Sequence, residues 1–171
     1  NVINGIDWCV NNASLFNISV ISMSLGGSTL YNTYCDASEA PFDSSIDAAA
    51  ARNISVIVAA GNGNSKTSLT APACINNATA VSSTTKADGF SAFNRGNITD
   101  LLAPGSTITS LLRGGGFTTL SGTSMATPHV AGAFALIRQF GRLERGINFT
   151  PSEIQDFLNR NPFLTADNIS N

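Results

Sequence analysis

Charge is scarce in this sequence. Charged residues are 12% of the 171, about half of the ~25% usual in a globular chain. Nine Lys+Arg stand against eleven Asp+Glu, a formal net charge of −2. A nucleic-acid partner needs a basic patch, so that class is excluded. Disorder needs low hydrophobicity with high net charge, and 43% hydrophobic residues exclude it as well. No apolar run approaches the about 20 residues of a membrane span, so no membrane partner is expected. With a single His and no Cys-x-x-Cys, no metal-ligand set is assigned. No Gly-x-Gly-x-x-Gly or Walker-type loop joins a strand to a helix, and Gly114-Gly115-Gly116 precedes a strand instead. A nucleotide-binding doubly wound domain is thereby set aside.

The start, Asn1-Val2-Ile3-Asn4-Gly5, lacks an initiator Met and a basic n-region. It is not a signal peptide and reads as the interior of a longer chain. The length is that of one domain. Low charge with abundant Ser, Thr, Asn and Gly points to a secreted or extracellular protein. Three cysteines, Cys9, Cys35 and Cys74, leave at least one thiol unpaired within the chain. Asn-x-Ser/Thr sequons stand at Asn12, Asn17, Asn53, Asn77, Asn97, Asn148 and Asn168. Chance supplies several of them in so Asn-rich a chain, so they carry no assignment.

Helical and strand patterns alternate. Val2, Ile3, Ile6, Cys9 and Val10 fall at helical spacing, and Asp43 to Arg52 is Ala-rich and helical. Ile18 to Ser24 reads as a β-branched strand stopped by Gly26-Gly27. Ser55 to Ala60 is a continuous apolar run suited to a strand buried on both faces. Short strands are expected at Ala78 to Ser82, Asp100 to Ala103 and Phe117 to Leu120. The longest helical pattern runs from Thr123 to Phe140. Thr150-Pro151-Ser152-Glu153 is a capping box that opens a helix to about Asn159. Strands separated by helices imply a three-layer α/β fold, a mostly parallel sheet with helices on both faces. Ligands of such sheets bind at the carboxyl ends of the strands.

The densest chemistry is Gly122-Thr123-Ser124-Met125-Ala126-Thr127-Pro128-His129-Val130-Ala131-Gly132. A loop of small residues runs straight into a helix, with Ser124 at or beside its N-terminus. There, free N–H groups and the positive end of the helix dipole favour negative charge. An oxyanion formed by attack of Ser124 on a carbonyl could receive the Ser124 N–H. Read alone, Ser124 is far more commonly an ordinary N-cap than a nucleophile.

The whole string resembles the nucleophile motif of the subtilisin-like serine proteases, the subtilases (peptidase S8). Two further matches occur in order. Ser22-Met23-Ser24-Leu25-Gly26-Gly27 is similar to the family's substrate-binding strand, and Val58-Ala59-Ala60-Gly61-Asn62 to its oxyanion-hole segment. Smaller echoes follow at Ala71 to Cys74, Phe90 to Gly96 and Leu102 to Gly105. The resemblance spans roughly residues 2 to 160. It implies a subtilisin-like fold and a serine endopeptidase acting on a peptide or protein substrate, with no cofactor required. It makes Ser124 the acylating nucleophile and Asn62 the side-chain oxyanion donor. Ser24, Leu25, Gly26 and Gly27 would form one wall of the specificity pocket and pair with an extended peptide. Ala59, Ala60 and Gly61 would form the opposite wall. These small linings suit apolar P1 side chains.

The departure is in the triad. A subtilase uses Asp, His and Ser in that chain order, yet no Asp-Thr-Gly-like or His-Gly-Thr-like motif occurs. His129 follows Ser124 by five residues on one helix. It is turned about 140° from the Ser124 face, so it is read as structural rather than as the base. Asp7 lies on the first helix, where a solvated helix face is the expected reading. The sequence is therefore expected to be a partial catalytic domain, residues 1–171, whose N-terminal part with the Asp and His motifs is missing. Either the sequence is incomplete, at both ends by the look of Asn1 and Asn171, or a second polypeptide supplies those motifs. The alternative function is a non-catalytic peptide-binding module on the same scaffold.

Within the resemblance, Cys35 and Cys74 follow the substrate strand and the oxyanion segment. A bridge between them is expected, with Cys9 a small apolar filler. A structural calcium is implied where Asp100 and carbonyls of the Asn76–Ala78 loop resemble a family site. Read from the residues, Asp100 is a solvent-facing acid at a strand start.

Overall fold

The computed structural model describes residues 1–160. The helices are α1 (Val2–Asn11), α2 (Ala13–Phe16), α3 (Ala40–Ala50), α4 (Thr123–Phe140) and α5 (Pro151–Asn159). The strands are β1 (Val20–Met23), β2 (Leu30–Tyr31), β3 (Ser55–Ala59), β4 (Leu69–Thr70), β5 (Thr79–Thr84), β6 (Leu101–Pro104), β7 (Ile108–Leu111) and β8 (Phe117–Leu120). A π-helical turn, Gly141–Arg145, continues α4.

Four strands pair in parallel in the order β1-β3-β5-β6. Val20 lies opposite Ser55, Val58 opposite Ala80, and Val81 opposite Leu101. All five residues of β3 are buried, because helices cover both faces. Side chains alternate between faces along a strand. Val56, Val58 and Ala80 meet Ile6 and Val10 of α1 and Ile46 and Ala49 of α3. Ile57, Val81, Leu101 and Ala103 meet Ala126, Val130 and Phe134 of α4 and Ile154 and Leu158 of α5. One sheet thus separates two cores, the three layers expected from alternating strands and helices.

Helix α5 begins as expected. Thr150 Oγ1 accepts the Glu153 N–H while Glu153 Oε2 accepts the Thr150 N–H. Phe117 to Leu120 is a strand, but it does not join the parallel sheet. It pairs antiparallel with β7, a strand the periodicity did not reveal. Cys35 and Cys74 form a disulfide with Cα atoms 5.4 Å apart. Cys9 is free and only half-buried, so it is not a sealed core filler.

Asp7 is not a solvated acid either. It lies half-buried between α1 and α3, where Ser45 Oγ donates to its Oδ1 at 2.6 Å. Asp100 is likewise not solvent-facing. Its oxygens accept the Ala80 N–H at 2.7 Å and Gln155 Nε2 at 2.8 Å, which fastens α5 to the sheet. Burial pushes its carboxyl up to about 6. Asn76 donates its N–H to Asp36 at 2.9 Å, and no group of three or more potential acidic, His or Cys metal ligands occurs among the described residues. The sequon at Asn168 and the chain end at Asn171 lie outside the described residues.

Candidate active site

Two strands and one helix end at the same corner. Chain leaving β1 gives Ser24 to Gly27, and chain leaving β3 gives Ala60 to Asn62. Helix α4 starts there with Gly122 as its N-cap, so Ser124 is the second helical residue and not the cap. Its N–H lies in the first turn, where intrahelical acceptors are missing and the dipole is positive.

Ser124 and Ser24 are hydrogen-bonded twice. Ser24 Oγ donates to the Ser124 carbonyl at 2.8 Å, and Ser124 Oγ donates to the Ser24 carbonyl at 3.3 Å. Asn62 is held one residue away. Its Oδ1 accepts both the Thr123 N–H at 2.9 Å and Thr123 Oγ1–H at 3.0 Å. With the oxygen fixed, the Nδ2 end of the amide is the donor that remains. It approaches Gly122, where a Cβ would stand 3.1 Å from it. Thr123 Oγ1 also accepts the Gly61 N–H at 3.2 Å. Thr123 is thus the residue that ties the β3 loop to α4.

The two glycine-bearing loops are packed on Thr70. A Cβ on Gly26 would lie 2.5 Å from Thr70 Oγ1, and one on Gly61 would lie 2.9 Å from it and 2.7 Å from Asn94 Nδ2. Gly61 also has φ +110°, a backbone region open to glycine. Asn94 is fully buried, takes the Ser65 N–H on Oδ1 at 3.0 Å and donates its own N–H to the Gly61 carbonyl at 3.1 Å. Ser24, Leu25, Gly26, Gly27 and Asn62 are exposed, whereas Ala59 and Ala60 are buried. The Ala60 carbonyl accepts the Thr70 N–H at 3.0 Å, and the Gly27 N–H goes to Ala71 at 2.8 Å. Those two backbone groups are already used within the fold.

His129 is exposed and turned away from Ser124. Its Nδ1–H donates to the Met125 carbonyl at 2.8 Å. Asp7 is engaged at the α1–α3 contact. The Ser124 hydroxyl therefore rests on a carbonyl, an acceptor without basicity. Thr123, Thr70, Asn94 and Pro128 were not singled out from sequence. Thr123 precedes Ser124 within the motif, and Pro128 follows it by four residues inside α4.

The profile of the subtilase family, peptidase S8, matches residues 1–168. The chain is 40% identical over 155 residues to alkaline serine exoprotease A of Vibrio alginolyticus, covering 90% of this chain and 26% of that protein. It is 39% identical over 171 residues to subtilisin-like protease 3 of Trichophyton equinum, covering 98% of this chain and 41% of that protein. The fold superposes on a cold adapted subtilisin-like serine proteinase with a TM-score of 0.76 at 41% identity, covering 92% of this chain and 52% of that one. It superposes on the patellamide maturation protease PatA with a TM-score of 0.78 at 29% identity, covering 92% and 56%. The chain therefore spans well under half the length of these curated relatives and about half of these solved structures. Its sequence over nearly its whole length, and its parallel sheet between two helical layers, agree on one assignment: the chain belongs to the subtilase family.

Proposed function

We propose that this chain carries the nucleophile half of a serine endopeptidase. Ser124 attacks a peptide carbonyl to form an acyl-enzyme, and the oxyanion receives the Ser124 N–H and Asn62 Nδ2–H. The observation that carries the reading is the Asn62–Thr123–Ser124 arrangement, in which Thr123 fixes the amide oxygen and leaves its nitrogen free. A neutral donor oriented before charge develops costs no reorganisation in the transition state. Ser24, Leu25, Gly26 and Gly27 on one side and Ala59, Ala60 and Gly61 on the other would take a peptide with a small or apolar P1 side chain. No metal or cofactor enters this chemistry, and a structural calcium is not assigned.

The base and its orienting acid come from outside these residues. The chain is an incomplete domain, and its partner is the segment that bears the Asp and His motifs. Low charge, abundant Ser, Thr and Asn, and a disulfide suit a secreted protein. No helix among the described residues is long and apolar enough to cross a membrane.

The test uses a form extended to the length of the relatives. It should hydrolyse a chromogenic peptide and label with a fluorophosphonate, and Ser124→Ala should abolish both. Asn62→Leu should lower kcat by about 10²–10³, a magnitude measured within this family rather than derived from the geometry here. Peptide binding without turnover, unaffected by Ser124→Ala, would instead identify a binding module.

A further inference from the structure

Arg138 is the largest fully buried side chain among the described residues, 2% exposed, on the last turns of α4. Its Nη2 donates to Ser55 Oγ at 3.0 Å, at the start of β3. Its Nε and Nη1 have no hydrogen-bond partner among the described residues. The charge beside it has the same sign. Arg142 follows one turn later, and burial together with Arg142 lowers the Arg138 pKa. Arg142 itself reaches only neutral oxygens, Asn148 Oδ1 at 3.2 Å and Asn17 Oδ1 at 3.4 Å. Among the described residues the single ion pair is Arg160–Asp156. Arg138 and Arg142 both line a cleft of about 310 Å³ shared with Asn17, Ser19, Gln139 and Leu143, and the unmatched Arg138 nitrogens are themselves buried.

A guanidinium taken out of water with two unmatched donors is costly, and the cost disappears only when an acceptor arrives, above all a charged one. We infer that this cleft is a carboxylate-binding site. A carboxylate matches the guanidinium in charge and in planar hydrogen bonding. Arg142 supplies a second cation, and Asn17 Nδ2 and the Ser19 hydroxyl supply neutral donors. Gln139, Arg142 and Leu143 are exposed and can yield to admit it. The site lies at the N-terminal ends of β1 and β3, the end of the sheet opposite Ser24, Asn62 and Ser124, so it does not depend on the catalytic reading. Its occupant is either a small free carboxylate or an Asp or Glu side chain on polypeptide beyond this sequence. β1 is an edge strand of the sheet, and this chain covers only 26% and 41% of two of its curated relatives.

The experiment follows the Arg138 Nε–H cross-peak in ¹⁵N-labelled protein, assigned by its loss in Arg138→Met, during titration with sodium acetate. It is done on the 171-residue chain and on a form extended to the length of the relatives. A saturable shift in both forms supports a site for a free carboxylate. A shift in the short chain, with a peak in the extended form that acetate does not move, supports an internal carboxylate. Arg138→Met should then lower the Tm of the extended form by about 5 °C or more, because an acid is left buried alone. If the short chain does not fold, the extended form decides on the same two readouts. No acetate shift in any folded form, with Arg138→Met as stable as the parent, overturns the site.

Discussion

Ser24 Oγ donates to the Ser124 carbonyl at 2.8 Å, and that carbonyl is one the helix cannot use. In an α-helix it would accept the N–H of the fourth residue on. That residue is Pro128, which has no N–H. The hydroxyl from the end of β1 therefore stands in for a missing helical donor. The return bond from Ser124 Oγ to the Ser24 carbonyl, 3.3 Å, closes the pair. Residues 100 positions apart are thereby locked together at the first turn of α4.

The relationship predicts a coupling between Ser24 and Pro128. Ser24→Ala leaves the Ser124 carbonyl without a protein donor. The pair is open to water, so the cost should be about 1 kcal/mol, the low end for a lost hydrogen bond. Pro128→Ala returns an N–H to the helix, and in that background Ser24→Ala should cost measurably less. A double-mutant cycle by urea denaturation checks this. Additive effects within about 0.5 kcal/mol would separate the two residues.

How far the sequence alone reaches is visible in the same corner. The Ser124 and Asn62 segments are legible only through their resemblance to subtilase motifs, because read alone Ser124 is an ordinary N-cap and Asn62 a turn residue. Helix α1 is legible from its apolar spacing, α3 from its alanines and α5 from its capping box. Thr123 was not, because its role rests on three contacts to residues 61–62 positions away. β7 and β2 were missed because they are short and largely exposed, so no burial pattern marks them. Asp100 was misjudged because its cover, Gln155, comes from a helix 55 residues later.

Asp100 gives a pH prediction. Its carboxyl is pushed up to about 6 by burial, against hydrogen bonds from Ala80 and Gln155 that pull the other way. A folded pKa above the unfolded value means the protonated form is favoured in the native state. The stabilisation is fully present below about pH 4 and is lost as pH rises through about 6. The span is worth up to about 3 kcal/mol. Asp100→Asn should flatten the stability profile between these limits, as read by urea melts at several pH values. An unchanged slope in Asp100→Asn would show that other groups set it.

The Cys35–Cys74 bridge closes a loop across a separation of 39 residues and is buried at both ends. It ties the segment between β2 and α3 to the segment between β4 and β5. Constraining an unfolded loop of that length stabilises by about 3–4 kcal/mol in the chain-entropy account. The double variant Cys35→Ala, Cys74→Ala should therefore show a markedly lower Tm under non-reducing conditions. Equal Tm values would mean that the bridge adds nothing to this fold.

The 171-residue chain by itself should not turn over peptides at an enzymatic rate. The Ser124 hydroxyl, the proposed nucleophile, rests on the Ser24 carbonyl, and a serine hydroxyl is a weak nucleophile without an adjacent base. His129, the one imidazole in the sequence, is committed to Met125 and faces away. Asp7 is committed to Ser45. What remains is the oxyanion arrangement at Asn62. In this family, loss of a triad member leaves about 10³–10⁴-fold catalysis over water, a measured value and not one obtained from this geometry. The assay compares the short chain with a form extended to the length of the relatives, using a chromogenic peptide and a fluorophosphonate probe. Slow or no labelling of the short chain and rapid labelling of the extended one are expected. Turnover by the short chain at ordinary protease rates, lost in Ser124→Ala, would place a general base among residues 1–171.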